Sequence, residues 1–359
     1  MAGEPVLEKL VDAELKKGTF PGLVMLVEKE GRVVYFLVKG FRQIFPVKEL
    51  MTMDTIFDLA SLTKPMATAL LILHVMFREK IDLDRKIACF LPGISAAAGK
   101  TTIRELLLHT SCLPPVADIY KEFPDAQDID YEKAEKKLLS IEPIEKPGSR
   151  VIYSCTGYLI LGLVLKKLTG RRLKTLFSQV VTEPCRIPDL FFNPQPQYRI
   201  RIAPTEYCPW RKRWLRGEVH DENCYCMGGD GGNAGLFGNA ESVLKMLSFF
   251  TSEDFLLGLN ILPSSAIRMM TTCLTPKLDK RRSIGFLMQG DDTPAGPFYS
   301  PFSFGHTGFT GTSVWVEPAQ KLKVVILTNR VHFGRERTSP AISDFRQRMH
   351  SALYKRFAF

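Results

Sequence analysis

DLASLTKPM, residues 58–66, sets a serine and a lysine three positions apart at the mouth of an apolar run. On a helix, Ser61 and Lys64 share one face. A serine hydroxyl is a poor nucleophile until a base or an electrostatic aid acts on it. A lysine provides that base only if desolvation or neighbouring cations hold it neutral part of the time. Pro65 is tolerated in a first turn but not deep inside a helix, so the helix begins close to Ser61. Its positive end then favours negative charge developing there. The residue before a proline resists α geometry, which sets Lys64 in tension with that placement. Alone, the pair reads more readily as capping and surface charge, and a second Ser-x-x-Lys stands at Ser242 and Lys245. Distant parts of the chain have to decide.

The chain of 359 residues is 45% hydrophobic and 24% charged, a globular composition with room for a large core. Its formal charge of +10 is dispersed in short clusters such as WRKRWLRG (210–217) and KLDKRR (277–282). No RNA-binding signature, zinc-finger spacing or long basic helix accompanies them, so they read as solvated surface and no nucleic-acid partner is expected. Eight cysteines lie without a framework pattern, and the amphipathic N-terminus has no apolar signal region. Reduced thiols in a cytoplasmic protein are the expectation. The run MATALLILHVMF (66–77) is short for a bilayer and reads as a buried helix. Cys208, Cys224, Cys226 and His220 fit no common zinc spacing, so no metal site is expected.

Residues 5–17 carry a helical period that stops at Gly18, and 22–40 reads as a hairpin about EKEGR. Helical patterns follow at 101–110, 131–141 and 156–170. Strand character returns near the end, at 311–329, before an amphipathic helix at 339–357. β-rich ends around a helical middle predict a mixed α/β domain built from 1–65 and 285–359, with 66–284 as a mainly helical insertion and the active site at their interface. The stretch 189–235 is long, irregular and rich in Pro and Gly, and such segments are usually functional or mobile.

Two motifs break the tie at Ser61. In VIYSCTGYLILG (151–162), Tyr153 precedes a turn and an apolar helix, and a tyrosine beside a lysine can shuttle a proton. In FGHTGFTGTSVWVEP (304–318), glycines let a backbone edge approach a ligand, where an N–H can donate to an oxyanion. The order Ser-x-x-Lys, Tyr-Ser-x, His-Thr-Gly resembles the serine β-lactamase and penicillin-binding protein superfamily, most closely its class C β-lactamase-like branch. LLLHTSCLPP (106–115) and GEVHDENCYCMGGDGGNAGLFG (217–238) resemble matching stretches of that branch, with Cys112 in place of a glycine. The resemblance covers nearly the whole chain, and the Ser242 pair has no such companions.

The resemblance implies a β-lactamase/transpeptidase-like fold, an antiparallel sheet flanked by the N- and C-terminal helices, and catalysis through an acyl-enzyme. It makes Ser61 the nucleophile, gives Lys64 and Tyr153 the acid–base work, and builds the oxyanion hole from the N–H groups of Ser61 and Phe309. Thr307 and Gly308 line the substrate strand, and no metal or organic cofactor is implied. Two positions depart from the pattern. Cys155 replaces the Asn that helps hold a lactam's amide. His306 replaces a Lys, and with an ordinary pKa near ~6.5 it offers less fixed charge to a β-lactam carboxylate. Both favour ester or uncharged acyl substrates. The expectation is a carboxylesterase acting on a small-molecule ester. Alternatives are a D-amino-acid peptidase or DD-carboxypeptidase, a weak β-lactamase, or a penicillin-binding sensor that does not turn over. His109 and the His220–Asp221–Glu222 cluster read as loop-ordering residues, and His74 as a satisfied core histidine.

Overall fold

The computed structural model describes residues 4–251, 261–290 and 293–359. A helix, α1 (Pro5–Lys17), ends where Gly18 turns left-handed at φ 71°, a conformation glycine adopts without penalty. Strands β1 (Gly22–Lys29) and β2 (Arg32–Gln43) form the expected hairpin. Its two-residue loop, Glu30–Gly31, has positive φ at both positions, the geometry that matches the twist of paired strands.

Seven antiparallel strands make the main sheet. Beyond the hairpin they are β3 (Glu49–Leu50), β9 (Leu287–Met288), β10 (Phe304–Thr307), β11 (Ser313–Glu317) and β12 (Leu322–Thr328), in the order β3-β2-β1-β12-β11-β10-β9. The two ends of the chain meet where β1 pairs with β12, from Leu23 opposite Thr328 to Lys29 opposite Leu322. Side chains alternate across a strand, and here both faces are covered, so the central strands read as continuous apolar runs. Leu23, Met25, Trp315 and Ile326 pack under α1 and the C-terminal helix Ser339–Phe357. Val24, Leu26, Val314 and Val325 face the helical side.

That side is built around a helical run from Ala60 to Arg78. It starts as a 3₁₀ turn (Ala60–Leu62), passes through a π-wound stretch (Lys64–Ala69) and continues as α2 (Leu70–Arg78). The conflict between Lys64 and Pro65 is met by this local rewinding, since π turns absorb a disrupted hydrogen-bond ladder. The run is longer than the sequence suggested, and 83% of its most apolar window is buried. Around it stand α3 (Ile103–Leu107), α4 (Tyr131–Leu139) and α5 (Cys155–Thr169), the first two within and the third offset by one residue from segments whose periodicity foretold a helix.

Two readings need correction. Strand character is not confined to the chain's ends: β4 (Phe57–Asp58), β8 (Leu236–Gly238) and β5 (Leu190–Phe192) form a small sheet, and β6 (Tyr207–Cys208) pairs with β7 (Arg213–Trp214). Strands of two or three residues are too short to show a period of two. The basic clusters are not simply solvated either, because Arg211 is 3% exposed and Arg282 is 6% exposed. Arg211 lies over the Tyr225 ring and donates to the carbonyls of Val219 and His220. His74 is half-buried with Nδ1 2.7 Å from the Ile261 carbonyl oxygen. All eight cysteines are free, and among the described residues no group of three His, Cys, Asp or Glu side chains is arranged to hold a metal.

Candidate active site

Ser61 sits in the first turn of the long helical run, immediately after Ala60, whose φ is 47°. A positive φ in a residue with a Cβ is strained and persists only when neighbours fix it. The fixing groups are visible. Asp58 Oδ1 accepts the Ala60 N–H at 2.8 Å, and Asp58 Oδ2 accepts the His220 N–H at 2.6 Å. Thr310 and Thr312 donate their hydroxyls to the carbonyls of Asp58 and Leu59. The serine's turn is thus held from one side by the turn that follows His306 and from the other by the 217–238 loop.

Lys64 is fully buried, and its Nζ makes three contacts. It donates to Ser61 Oγ at 3.0 Å, to the Asn233 carbonyl at 2.8 Å and to Cys155 Sγ at 3.4 Å. Burial opposes its charge, but Cys155 and Tyr153, which bear negative charge when ionised, outweigh that and hold Lys64 above the ordinary lysine value. Lys64 is therefore an ammonium with every donor used. The Ser242 pair shows the contrast. Ser242 donates its N–H to the Asn239 cap and Lys245 bonds the Arg186 carbonyl, so the two are a helix start and a surface charge.

Tyr153 lies on the extended approach to α5. Ser154 caps that helix by accepting from Gly157 N–H, and its own N–H donates to His109 Nδ1. The Tyr153 ring is 4.6 Å from the His109 ring and 5.8 Å from the His306 ring, centroid to centroid. Lys64 Nζ lies 5.1 Å from the Tyr153 centroid and Arg282 Cζ 5.3 Å from it. His109 thus orders the tyrosine's segment. Cys155 opens α5, half-buried at the wall of the same cavity.

His306 ends up buried on β10, with Nδ1 2.8 Å from the Thr307 carbonyl oxygen. A carbonyl only accepts, so Nδ1 carries the proton. Burial, then Arg282 and Lys64, push its pKa far below the usual imidazole range, so the ring is neutral. Nε2 consequently presents a bare lone pair and has no hydrogen-bond partner among the described residues. Gly308 follows at a contact that no larger residue fits. A Cβ there would lie 2.1 Å from Thr312 Oγ1 and 2.6 Å from the Leu59 carbonyl oxygen. Arg346 clamps this turn from the C-terminal helix, donating to the carbonyls of Gly308 and Thr312 at 2.8 Å each. Phe309 lines the cavity with its ring between His220, at 5.5 Å, and the Arg330 guanidinium, at 4.7 Å.

Ser61, Tyr153, Cys155, His306, Thr307, Gly308 and Phe309 all line one cavity of about 510 Å³, with Lys64 at its floor through the Ser61 contact. His220, Asp221 and Glu222 line it too. His220 bonds Glu206 at 2.7 Å, and Arg335 joins Glu206 to Glu222, so the cluster is a charged brace for this wall. Sequence reasoning missed Asp58, Arg346, Arg330 and Arg282. The only trace of Arg282 was its membership of KLDKRR.

Comparison with known proteins finds relatives along nearly the whole chain. The profile of the Beta-lactamase family covers residues 7–347. An N-acetylmuramyl-L-alanine amidase of Bacillus subtilis (strain 168) is 29% identical over 360 residues, spanning 91% of this chain and 80% of its own. A putative D-alanyl-D-alanine carboxypeptidase of Escherichia coli (strain K12) is 29% identical, spanning 87% and 79%. Among solved structures, EstCE1, a hydrolase with promiscuous acyltransferase activity, superposes with a TM-score of 0.73 at 22% identity, covering 95% of this chain and 97% of that one.

Proposed function

Taking as premise that the chain belongs to the Beta-lactamase family of serine hydrolases, we propose that it hydrolyses a carboxylic ester through an acyl-enzyme on Ser61. The observation that carries this reading is the Ser61–Lys64 contact at 3.0 Å, set beside Tyr153 in a cavity walled by His306–Phe309. With Lys64 an ammonium, the group left to take the serine proton is the oxygen of Tyr153, whose ring lies 5.1 Å from that cation and which acts as general base. Ser61 Oγ then bonds to the substrate carbonyl carbon, and the N–H groups of Ser61 and Phe309 receive the oxyanion. When the ester C–O bond breaks, Tyr153 returns its proton to the leaving oxygen. Water, activated the same way, releases the acid and regenerates Ser61.

Cys155 in place of an amide-holding Asn and the neutral His306 both support an ester over a lactam. A second reading, an amide or D-peptide hydrolase, is supported by the names of the two relatives at 29% identity. Mass spectrometry after short exposure to p-nitrophenyl butyrate, with product release followed in parallel, tests the ester reading. An acyl adduct on Ser61 with turnover, both lost in Ser61→Ala, is the expected result. A Ser61→Ala protein as fast as wild type sinks it. A stable, unreleased adduct points instead to a non-turnover binder.

A further inference from the structure

Of the six histidines, four have no ring nitrogen left to offer. His109 and His306 each use Nδ1 in a hydrogen bond and have Nε2 occluded, His350 uses Nε2 and has Nδ1 occluded, and His332 uses both. His74 keeps Nε2 free but does not line the active-site cavity. His220 does line it. Its Nε2 lies 2.7 Å from Glu206 Oε1, while Nδ1 has no hydrogen-bond partner among the described residues and remains open.

Glu206 is itself tied down, with Oε1 also taking Arg335 Nε at 2.6 Å and Oε2 the Arg335 N–H at 3.0 Å. Burial opposes its charge, but its bonds to His220 and Arg335 outweigh that and keep it a carboxylate. A carboxylate only accepts, so in the neutral ring the proton of His220 sits on Nε2 and the lone pair on Nδ1. A carboxylate behind an imidazole fixes its tautomer and steadies the cation formed when the ring takes a proton. The backbone holds the residue close to the serine: His220 N–H donates to Asp58 Oδ2 at 2.6 Å, and Asp58 Oδ1 takes the Ala60 N–H next to Ser61. The His220 ring stacks on Phe309 at 5.5 Å.

We propose that His220, backed by Glu206, is a general base for the hydrolytic water, so that the water step has a proton acceptor besides Tyr153. The inference deepens the ester-hydrolase reading and rests on it for the acyl-enzyme at Ser61. Nδ1 takes a proton from the water as the water oxygen bonds to the acyl carbon. When the bond from that carbon to Ser61 Oγ breaks, the serine oxygen takes a proton from Lys64, 3.0 Å away. The proton held by His220 passes through solvent and recharges Lys64. Tyr153 packs against His109 and His306, and His220 against Phe309, so the two acceptors stand on separate segments of the wall. Acylation and release can therefore be impaired one at a time.

Diethyl pyrocarbonate, which carbethoxylates an open imidazole nitrogen, tests the placement on the wild-type chain without reference to turnover. Peptide mass spectrometry should find His220 and His74 modified ahead of the other four. A His220 left unmodified while His74 reacts overturns the proposal. The chemistry is read by rapid-quench mass spectrometry of the Ser61 adduct formed from p-nitrophenyl butyrate. His220→Gln should form the adduct at close to the wild-type rate and lose it about 10²-fold more slowly. Imidazole in the buffer should restore part of the release in His220→Ala, which a merely bracing role would not allow. An adduct that forms normally and decays at the wild-type rate in His220→Gln overturns the assignment of His220 alone. Equal slowing of formation and decay overturns it as well and leaves His220 a brace. If wild-type Ser61 takes no acyl group while His220 is carbethoxylated, the hydrolase reading falls and takes the water step with it.

Discussion

The ammonium of Lys64 donates to the carbonyl oxygen of Asn233 at 2.8 Å, joining the floor of the cavity to the glycine-rich end of the 217–238 loop. The same nitrogen reaches Ser61 and Cys155. Removing it therefore strips a buried carbonyl of its donor as well as removing the positive charge beside Ser61. Lys64→Met is expected to lower ester kcat/KM by about 10²-fold or more. It should also cost about 1–3 kcal/mol of stability from the stranded acceptor. Kinetics together with urea unfolding of the same preparation check both.

Gly308→Ala tests how close the His306 strand must come to the serine. The added methyl would meet Thr312 Oγ1 and the Leu59 backbone, and the backbone cannot rotate away. We expect about 1–3 kcal/mol of destabilisation, as for other overpacked sites. The activity loss should exceed what that stability change explains, because Leu59 leads directly into Ser61. A Gly308→Ala enzyme with wild-type turnover would show the contact to be slack.

Acid sensitivity follows from the buried imidazoles. His350 is fully buried and its pKa falls to about 3, through burial and then Arg346. His109, His306 and His332 are lowered in the same direction, each chiefly by burial. The unfolded chain takes up these protons near its ordinary value of ~6.5, before the folded chain does, so it binds more protons at lower pH. Stability is complete above that value and falls as pH drops below it, by about 1.4 kcal/mol per pH unit for each such ring. Urea midpoints at pH 7.5, 6 and 5 should decrease in order, and His350→Asn should flatten the trend between 6 and 5.

Cys155 is half-buried and lines the cavity, whereas Cys112, Cys185, Cys208, Cys224 and Cys226 are buried. Iodoacetamide should reach Cys89, Cys155 and Cys273, and loss of hydrolytic activity should follow the Cys155 adduct alone. Cys155→Ser is expected to keep its activity under the reagent. Inactivation of that variant at the wild-type rate would assign the sensitive thiol elsewhere.

Much of this arrangement could be read from the residues. The hairpin 22–40 and the pair of strands at 311–329 were legible because buried strands leave long apolar runs punctuated by turn residues. Ser61 was legible only through Tyr153 and His306, since the same spacing at Ser242 and Lys245 ends as a cap and a surface ion. Arg282 was not legible. A basic residue in a basic cluster looks solvated, and its burial depends on the 274–283 loop docking through Asp279 onto Val151. The role of Asp58 was equally hidden, because its two partners are backbone N–H groups that sequence does not mark.

The pairing of β1 with β12 has a kinetic consequence. The strand that presents His306 pairs locally with β11, but the sheet it belongs to is complete only once the two ends of the chain have met, and contacts so distant in sequence form slowly. The helical run bearing Ser61 and Lys64 is local and can form early, but it lacks its opposite wall until the sheet closes. Recovery of hydrolytic activity on refolding should thus lag behind recovery of helical circular dichroism, making turnover a reporter of the last step of assembly.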